Sequence, residues 1–133
     1  ITTRFLDEAG NIVFRSQSAP SAAELLARAR THAPRYRKQG VNWALNLLSE
    51  HGAQFVSAIK ASHWQDDIEQ AAVDIAVSAF LIDTLFGGIA PQEFAGGDLL
   101  VTILDDHTTT FQRIPPAPTL PDIDSLYRSG ELA

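Results

Sequence analysis

The sequence predicts an α+β fold: two β-hairpins form a small antiparallel sheet that packs on a three-helix layer with a buried central helix. Two observations predict this class. Short segments rich in β-branched and aromatic residues occur as pairs near both ends of the chain. Between them lie three longer segments whose apolar residues recur at helical spacing. A sheet and a helical layer, each with an apolar side, would then enclose one core.

The composition is that of a globular protein. The chain has 133 residues, of which 45% are hydrophobic and 20% charged, and this fits one domain and argues against disorder. The absence of cysteine excludes disulfides and thiolate sites. No apolar stretch approaches the length of a membrane span, so we expect a cytoplasmic protein without membrane contact. The Ala- and Arg-rich, lysine-poor usage suits a GC-rich bacterial genome.

Two pairs of strands are predicted. Residues 2–7 and 12–16 flank a turn in which Gly10 tolerates positive φ, as hairpin loops of this length usually require. Residues 99–104 and 109–114 flank a second turn and are rich in β-branched residues.

The first helix should begin at a capping box. Ser21 and Glu24 have its spacing, in which each side chain bonds the other residue's backbone N–H. Apolar residues then recur at helical steps, at Leu25, Leu26, Ala29 and Ala33. Because Pro34 lacks an N–H and disfavours helix at the residue before it, the helix is predicted to end near Ala33.

The second helix is predicted over residues 41–62. Gly52 lies inside it and costs about 1 kcal/mol relative to alanine. We therefore expect another helix to approach closely there, with alanines of the third helix as the neighbours.

The third helix is apolar nearly all round, which predicts a central, buried position. Asp66 is the predicted N-cap, Glu69 has the capping-box spacing, and Gly87 with Gly88 supplies the stop.

Two aspartates interrupt this apolar helix. Asp74 shares a narrow polar edge with Asp67 and Ser78, and we expect that edge to reach solvent. Asp83 could instead meet an arginine of the basic cluster described next, as an internal structural pair.

Half of the chain's ten basic residues fall within positions 28–38. The candidate partner- or phosphate-binding residues of this basic cluster are Arg28, Arg30, Arg35, Tyr36, Arg37 and Lys38. Guanidinium groups suit phosphate, and Tyr36 could stack on a base. The same residues could bind an acidic protein, or form a solvated helix end whose cations offset the helix dipole. The net charge of −6 disfavours nucleic acid among these interpretations.

Catalytic and cofactor motifs are absent. There is no nucleophile elbow, phosphate-binding loop or dinucleotide fingerprint, so no catalytic residue and no cofactor is predicted. His51 with Asp74 is a conceivable acid–base pair on two helices. Segment 63–67 offers imidazole and carboxylate, but it lacks further ligands unless the turn at 105–107 folds nearby, so no metal site is predicted.

The domain is predicted to span residues 1–114, followed by a proline-rich tail at 115–133. Its four prolines, Pro115, Pro116, Pro118 and Pro121, enforce extended backbone. We expect this tail to lie along the domain or along a partner.

These patterns favour a non-enzymatic protein-interaction module, such as an adaptor, inhibitor or assembly factor, with a protein partner and possible homodimer formation. A nucleic-acid-associated protein that uses the basic cluster is the first alternative. A small enzyme or ligand-binding domain with a pocket between sheet and helices is the second.

Overall fold

The computed structural model describes residues 2–16, 21–61 and 64–115, and over this part of the chain it confirms an α+β protein with four helices and a four-stranded sheet. In chain order the elements are β1 (Thr3–Leu6), β2 (Ile12–Arg15), α1 (Ala22–Gln39), α2 (Val41–Ala61), α3 (Gln65–Leu85), α4 (Pro91–Ala95), β3 (Asp98–Ile103) and β4 (Thr109–Ile114). No helix in these described ranges is both long enough and apolar enough to span a membrane. Residues 116–133 of the predicted tail lie outside the described residues.

The sheet is mixed, which corrects the prediction of a purely antiparallel sheet. Its strand order is β2-β1-β3-β4, with β1 and β3 parallel in the middle and antiparallel pairs towards both edges. Apolar alternation decides which face of a strand is buried, but it carries no information on the direction of the neighbouring strand. The parallel register runs from Thr3 opposite Leu99 to Leu6 opposite Thr102, and where β3 begins the N–H of Leu99 bonds to the carbonyl of Thr2 at 2.9 Å.

An aromatic cluster joins the sheet to α2. The ring of Phe5 on β1 stacks on the ring of Phe55 on α2, with centroids 4.1 Å apart. The ring of Phe14 on β2 meets Phe55 edge-on at 5.5 Å. Leu99 and Val101 of β3 belong to the same buried core. The second half of α2 is thereby held against the sheet.

Helix α1 continues through Pro34 to Gln39, so its predicted end near Ala33 is wrong. The proline is exposed, whereas Ala33 and Tyr36 on either side of it are buried. Burial of that stripe outweighs the hydrogen bond that proline cannot make. The helix ends at Gly40, which has a φ of 91° and donates its N–H to the carbonyl of Tyr36.

The start of α3 differs from the prediction, whereas its end agrees with it. Helix α3 begins at Gln65, so Asp66 lies in its first turn and the prediction that Asp66 is the N-cap is wrong. The Glu69 carboxylate is buried and accepts a hydrogen bond from the Ser16 hydroxyl at 2.7 Å, so it takes part in tertiary packing. Residues 75–82 are all buried, and Gly88 follows the helix with a φ of 71°.

Gly52 marks the point where α2 crosses the start of β4. A Cβ added at Gly52 would overlap the Thr109 hydroxyl. The predicted close approach is therefore present, but the neighbour is a strand and not the third helix. The Ser49 hydroxyl accepts the backbone N–H of Thr109 at 3.1 Å, and this bond holds the two elements together.

Gly52→Ala should destabilise the protein, although alanine favours a helix interior by about 1 kcal/mol. The added methyl group overlaps Thr109 Oγ1, and relief requires α2 to move or Thr109 to turn. Overpacking of this kind costs about 1–3 kcal/mol. Equilibrium urea unfolding measures the change.

A Thr109→Ala background removes the overlapped hydroxyl and serves as the control. The two substitutions together should destabilise less than the sum of the single ones. A Gly52→Ala protein as stable as the wild type would contradict the close contact.

Candidate ligand-binding site

A pocket of about 370 Å³ opens between the three long helices. Each helix supplies one wall. From α1 come Arg28, Thr31, His32, Arg35 and Tyr36, from α2 come Trp43, Leu47 and His51, and from α3 come Asp74, Val77 and Ser78.

Two adjacent stripes of α1 explain its wall. The buried stripe consists of Leu25, Ala29, Ala33 and Tyr36. The stripe beside it consists of Arg28, Thr31, His32 and Arg35, at steps of one, three or four residues. Since residues three and four apart share a helix face, burying the first stripe turns the second towards the pocket.

A buried hydrogen bond joins α1 to α3 at the pocket. The Tyr36 hydroxyl donates to Ser78 Oγ at 3.0 Å, and the two residues are 4% and 0% exposed. Burial raises the pKa of Tyr36 above its ordinary value, while Ser78 and Arg35 oppose the shift. The Trp43 ring packs edge-on against Tyr36, with centroids 5.2 Å apart. The Tyr36 phenol is therefore uncharged at neutral pH and is held by both α3 and α2.

Arg35 is positioned by an aromatic ring. Its guanidinium carbon lies 5.2 Å from the centroid of Trp43, within the range of a cation–π contact. Such a contact restrains the side chain but leaves its N–H groups able to donate.

The pocket carries charges of both signs. Within the described residues, Arg28, His32 and Arg35 have no carboxylate partner within 4.0 Å. Asp74 is half-buried, and its Oδ1 accepts a hydrogen bond from the Gln70 amide at 3.1 Å. Positive groups predominate on α1, and the carboxylate stands on α3.

The structure divides the six candidate residues of the basic cluster. It brings Arg28, Arg35 and Tyr36 to the pocket, and it leaves Arg30, Arg37 and Lys38 exposed outside the pocket lining. Arg37 and Lys38 occupy the last turn of α1, where cations offset the helix dipole. Because α1 is longer than predicted, Arg28 and Arg30 lie within it and not at its end. The buried Tyr36 ring presents no face on which a base could stack.

His51 and Asp74, paired in sequence on chemical grounds alone, do line one pocket. Sequence reasoning missed the apolar wall beside them. The signal was present in the spacing, because Trp43, Leu47 and His51 follow one another at four-residue steps along α2.

A second pocket, of about 260 Å³, lies between the sheet and α2. Its walls are mainly apolar, with Val13, Phe55 and Ile59 among them, and Lys60 and His107 also line it. It lacks the concentration of cations found between the helices.

Asp83 does not line the pocket between α1, α2 and α3, which we call the helical pocket, and the interpretation that it meets the basic cluster is wrong. Its charged neighbour is Arg113 of β4, because the end of α3 leads towards α4 and the sheet. Burial raises the pKa of Asp83, and Arg113 opposes this shift. Arg113 also forms an ion pair with Glu93 of α4 at 3.4 Å.

Comparison with known proteins gives no relative: no protein family, curated protein or solved structure matches the chain. In the part of the chain that the structure describes, no three His, Asp or Glu side chains are grouped as a metal site requires. The functional proposal therefore rests on the residues of the pocket.

The buried phenol of Tyr36 should make the free energy of unfolding decrease at alkaline pH. The phenol of the unfolded chain ionises near pH 10.0, whereas burial raises the pKa of the folded one. The stabilisation from the neutral phenol is thus complete below pH 10.0 and is lost as the pH rises through the folded pKa. The free energy of unfolding, measured against pH, should fall there in the wild type, and this component should be missing in Tyr36→Phe.

Tyrosinate absorbance gives a direct check in a Tyr127→Phe background, in which Tyr36 is the one remaining tyrosine. A pKa of Tyr36 at or below the ordinary value for tyrosine would contradict the burial of its phenol.

Proposed function

We propose that this chain is a binding domain for a small organic anion, which it holds in the pocket between α1, α2 and α3. The observation that carries the proposal is the pair Arg28 and Arg35, which line one pocket with no carboxylate partner in the described structure. Unpaired guanidinium groups at a concave site are suited to bind carboxylate or phosphate.

The charge distribution supports an anionic ligand. The whole chain has a net charge of −6, yet cations outnumber carboxylates at this pocket. Walls of low dielectric focus the field of such groups into a cleft, which favours the entry of an anion.

The size and the remaining walls support an organic ligand. The volume of about 370 Å³ falls within the range of small-molecule sites, roughly 300–1,000 Å³. Trp43, Leu47 and Val77 supply apolar surface. Helix α3 contacts both α1 and α2, and the three helices together enclose the pocket. The Ser78 hydroxyl, a candidate nucleophile in the pocket lining, accepts a hydrogen bond from Tyr36, which favours binding over catalysis.

Calorimetric titration with 3-phenylpropionate, an anion with one flat apolar ring, tests the proposal. Arg35→Gln should weaken its binding by about tenfold or more, because the probe loses a charge-assisted hydrogen bond. Arg37→Gln is the matched control, since Arg37 lies on the same helix outside the pocket lining. Equal losses in both variants, or no binding by the wild type at millimolar probe, would contradict the proposal.

A second candidate function, protein interaction through a homodimer, is favoured by β2. This strand lies at an edge of the described sheet, and Ile12 and Val13 on it are 56% and 50% exposed. Asp7 and Glu8 lie at the turn end of the strand, and exposed Arg15 lies at its other end. Antiparallel pairing of two β2 strands about a two-fold axis would place these opposite charges together.

Sedimentation velocity tests the dimer. The wild type should pass from 14.5 kDa to twice that mass as its concentration rises, and Val13→Lys should remain monomeric because a charged edge opposes strand addition. Lys60→Glu, which changes a nearby surface charge outside the strand, is the comparison. A wild type that stays monomeric at high micromolar concentration would contradict this candidate.

A further inference from the structure

The charges of the helical pocket separate into two groups that do not neutralise each other. Arg28 and Arg35 stand on α1, and Asp74 stands on α3, yet all three line the same pocket. No ion pair within 4.0 Å joins Asp74 to either arginine. Each charge therefore remains available to a ligand that enters between them.

We propose that the ligand is zwitterionic: an amino acid with an apolar side chain, whose carboxylate binds the arginines and whose ammonium group binds Asp74. This inference rests on the proposed function, because it assigns the anionic end of the ligand to the same arginines. It adds a positive group to the ligand and a second recognition element to the pocket.

Gln70 orients the Asp74 carboxylate that would bind the ammonium group. The Gln70 amide donates to Oδ1 at 3.1 Å, which restrains the carboxylate, and a carboxylate has further acceptor capacity on both oxygens. The carboxylate is half-buried at a partly enclosed site. An ammonium group supplies three donors and a compensating charge for Asp74, both of which a simple anion lacks.

The apolar walls define the rest of the ligand. Trp43 is held by edge-on contact with Tyr36, and Leu47 and Val77 line the same pocket. Because the Tyr36 hydroxyl donates its proton to Ser78 and both residues are buried, the pocket offers few exposed polar groups to a ligand side chain at this point. An aromatic or branched aliphatic side chain fits this surface.

Three probes that share one ring test the inference by calorimetry: L-phenylalanine, 3-phenylpropionate, which lacks the ammonium group, and 2-phenylethylamine, which lacks the carboxylate. L-phenylalanine should bind about tenfold or more tightly than either of the others. Asp74→Asn should remove its advantage over 3-phenylpropionate and leave 3-phenylpropionate bound at least as well. Asp66→Asn, a neutralisation outside the pocket lining, is the matched control and should change neither affinity.

The outcomes separate this inference from the proposed function. If 3-phenylpropionate binds as tightly as L-phenylalanine, or Asp74→Asn weakens both equally, the zwitterion is excluded and the anion site remains. If neither probe binds the wild type, both proposals fail. Thermal unfolding of each variant should show an unchanged midpoint within a few degrees, so that a loss of binding reports on the pocket and not on folding.

Discussion

The hydrogen bond from the Tyr36 hydroxyl to Ser78 Oγ is the contact on which the pocket depends. It is 3.0 Å long and enclosed by protein, and leaving such a group unpaired costs about 1–3 kcal/mol. A bond of this kind restrains the position of α1 on α3. Arg35 precedes Tyr36 directly, and Asp74 lies one helical turn before Ser78, so the same bond sets where the opposite charges stand.

Helix α2 links this pocket to the sheet. Its first half carries Trp43 and Leu47 into the pocket, whereas Phe55 in its second half stacks on the sheet. Gly52 lies between the two halves and lets the helix approach β4 closely. The position of the apolar wall is thus set partly by contacts outside the pocket, and a substitution at the crossing of α2 and β4 should alter the pocket.

Local patterns in the sequence were sufficient for the fold class, because helical spacing and apolar alternation report directly on burial. They failed where tertiary contacts decided the outcome. Helix α1 continues past Pro34 because Tyr36 is buried against α3. The element that approaches Gly52 is β4, through Thr109, and not the third helix. The basic cluster could be recognised in the sequence, but its division into pocket residues and exposed residues could not. That division depends on which stripe of α1 is buried, and the presence of Leu26 beside Leu25 leaves the position of this stripe ambiguous in the sequence.

The two tryptophans allow one decisive measurement, since Trp43 lines the pocket and Trp64 is 75% exposed and outside the pocket lining. In a nitrogen-15 NMR titration with L-phenylalanine, the indole N–H signal of Trp43 should shift in a saturable manner while that of Trp64 stays in place. A shift confined to Trp64, equal shifts of both signals, or no shift of either at saturating probe would contradict a ligand site between the three helices.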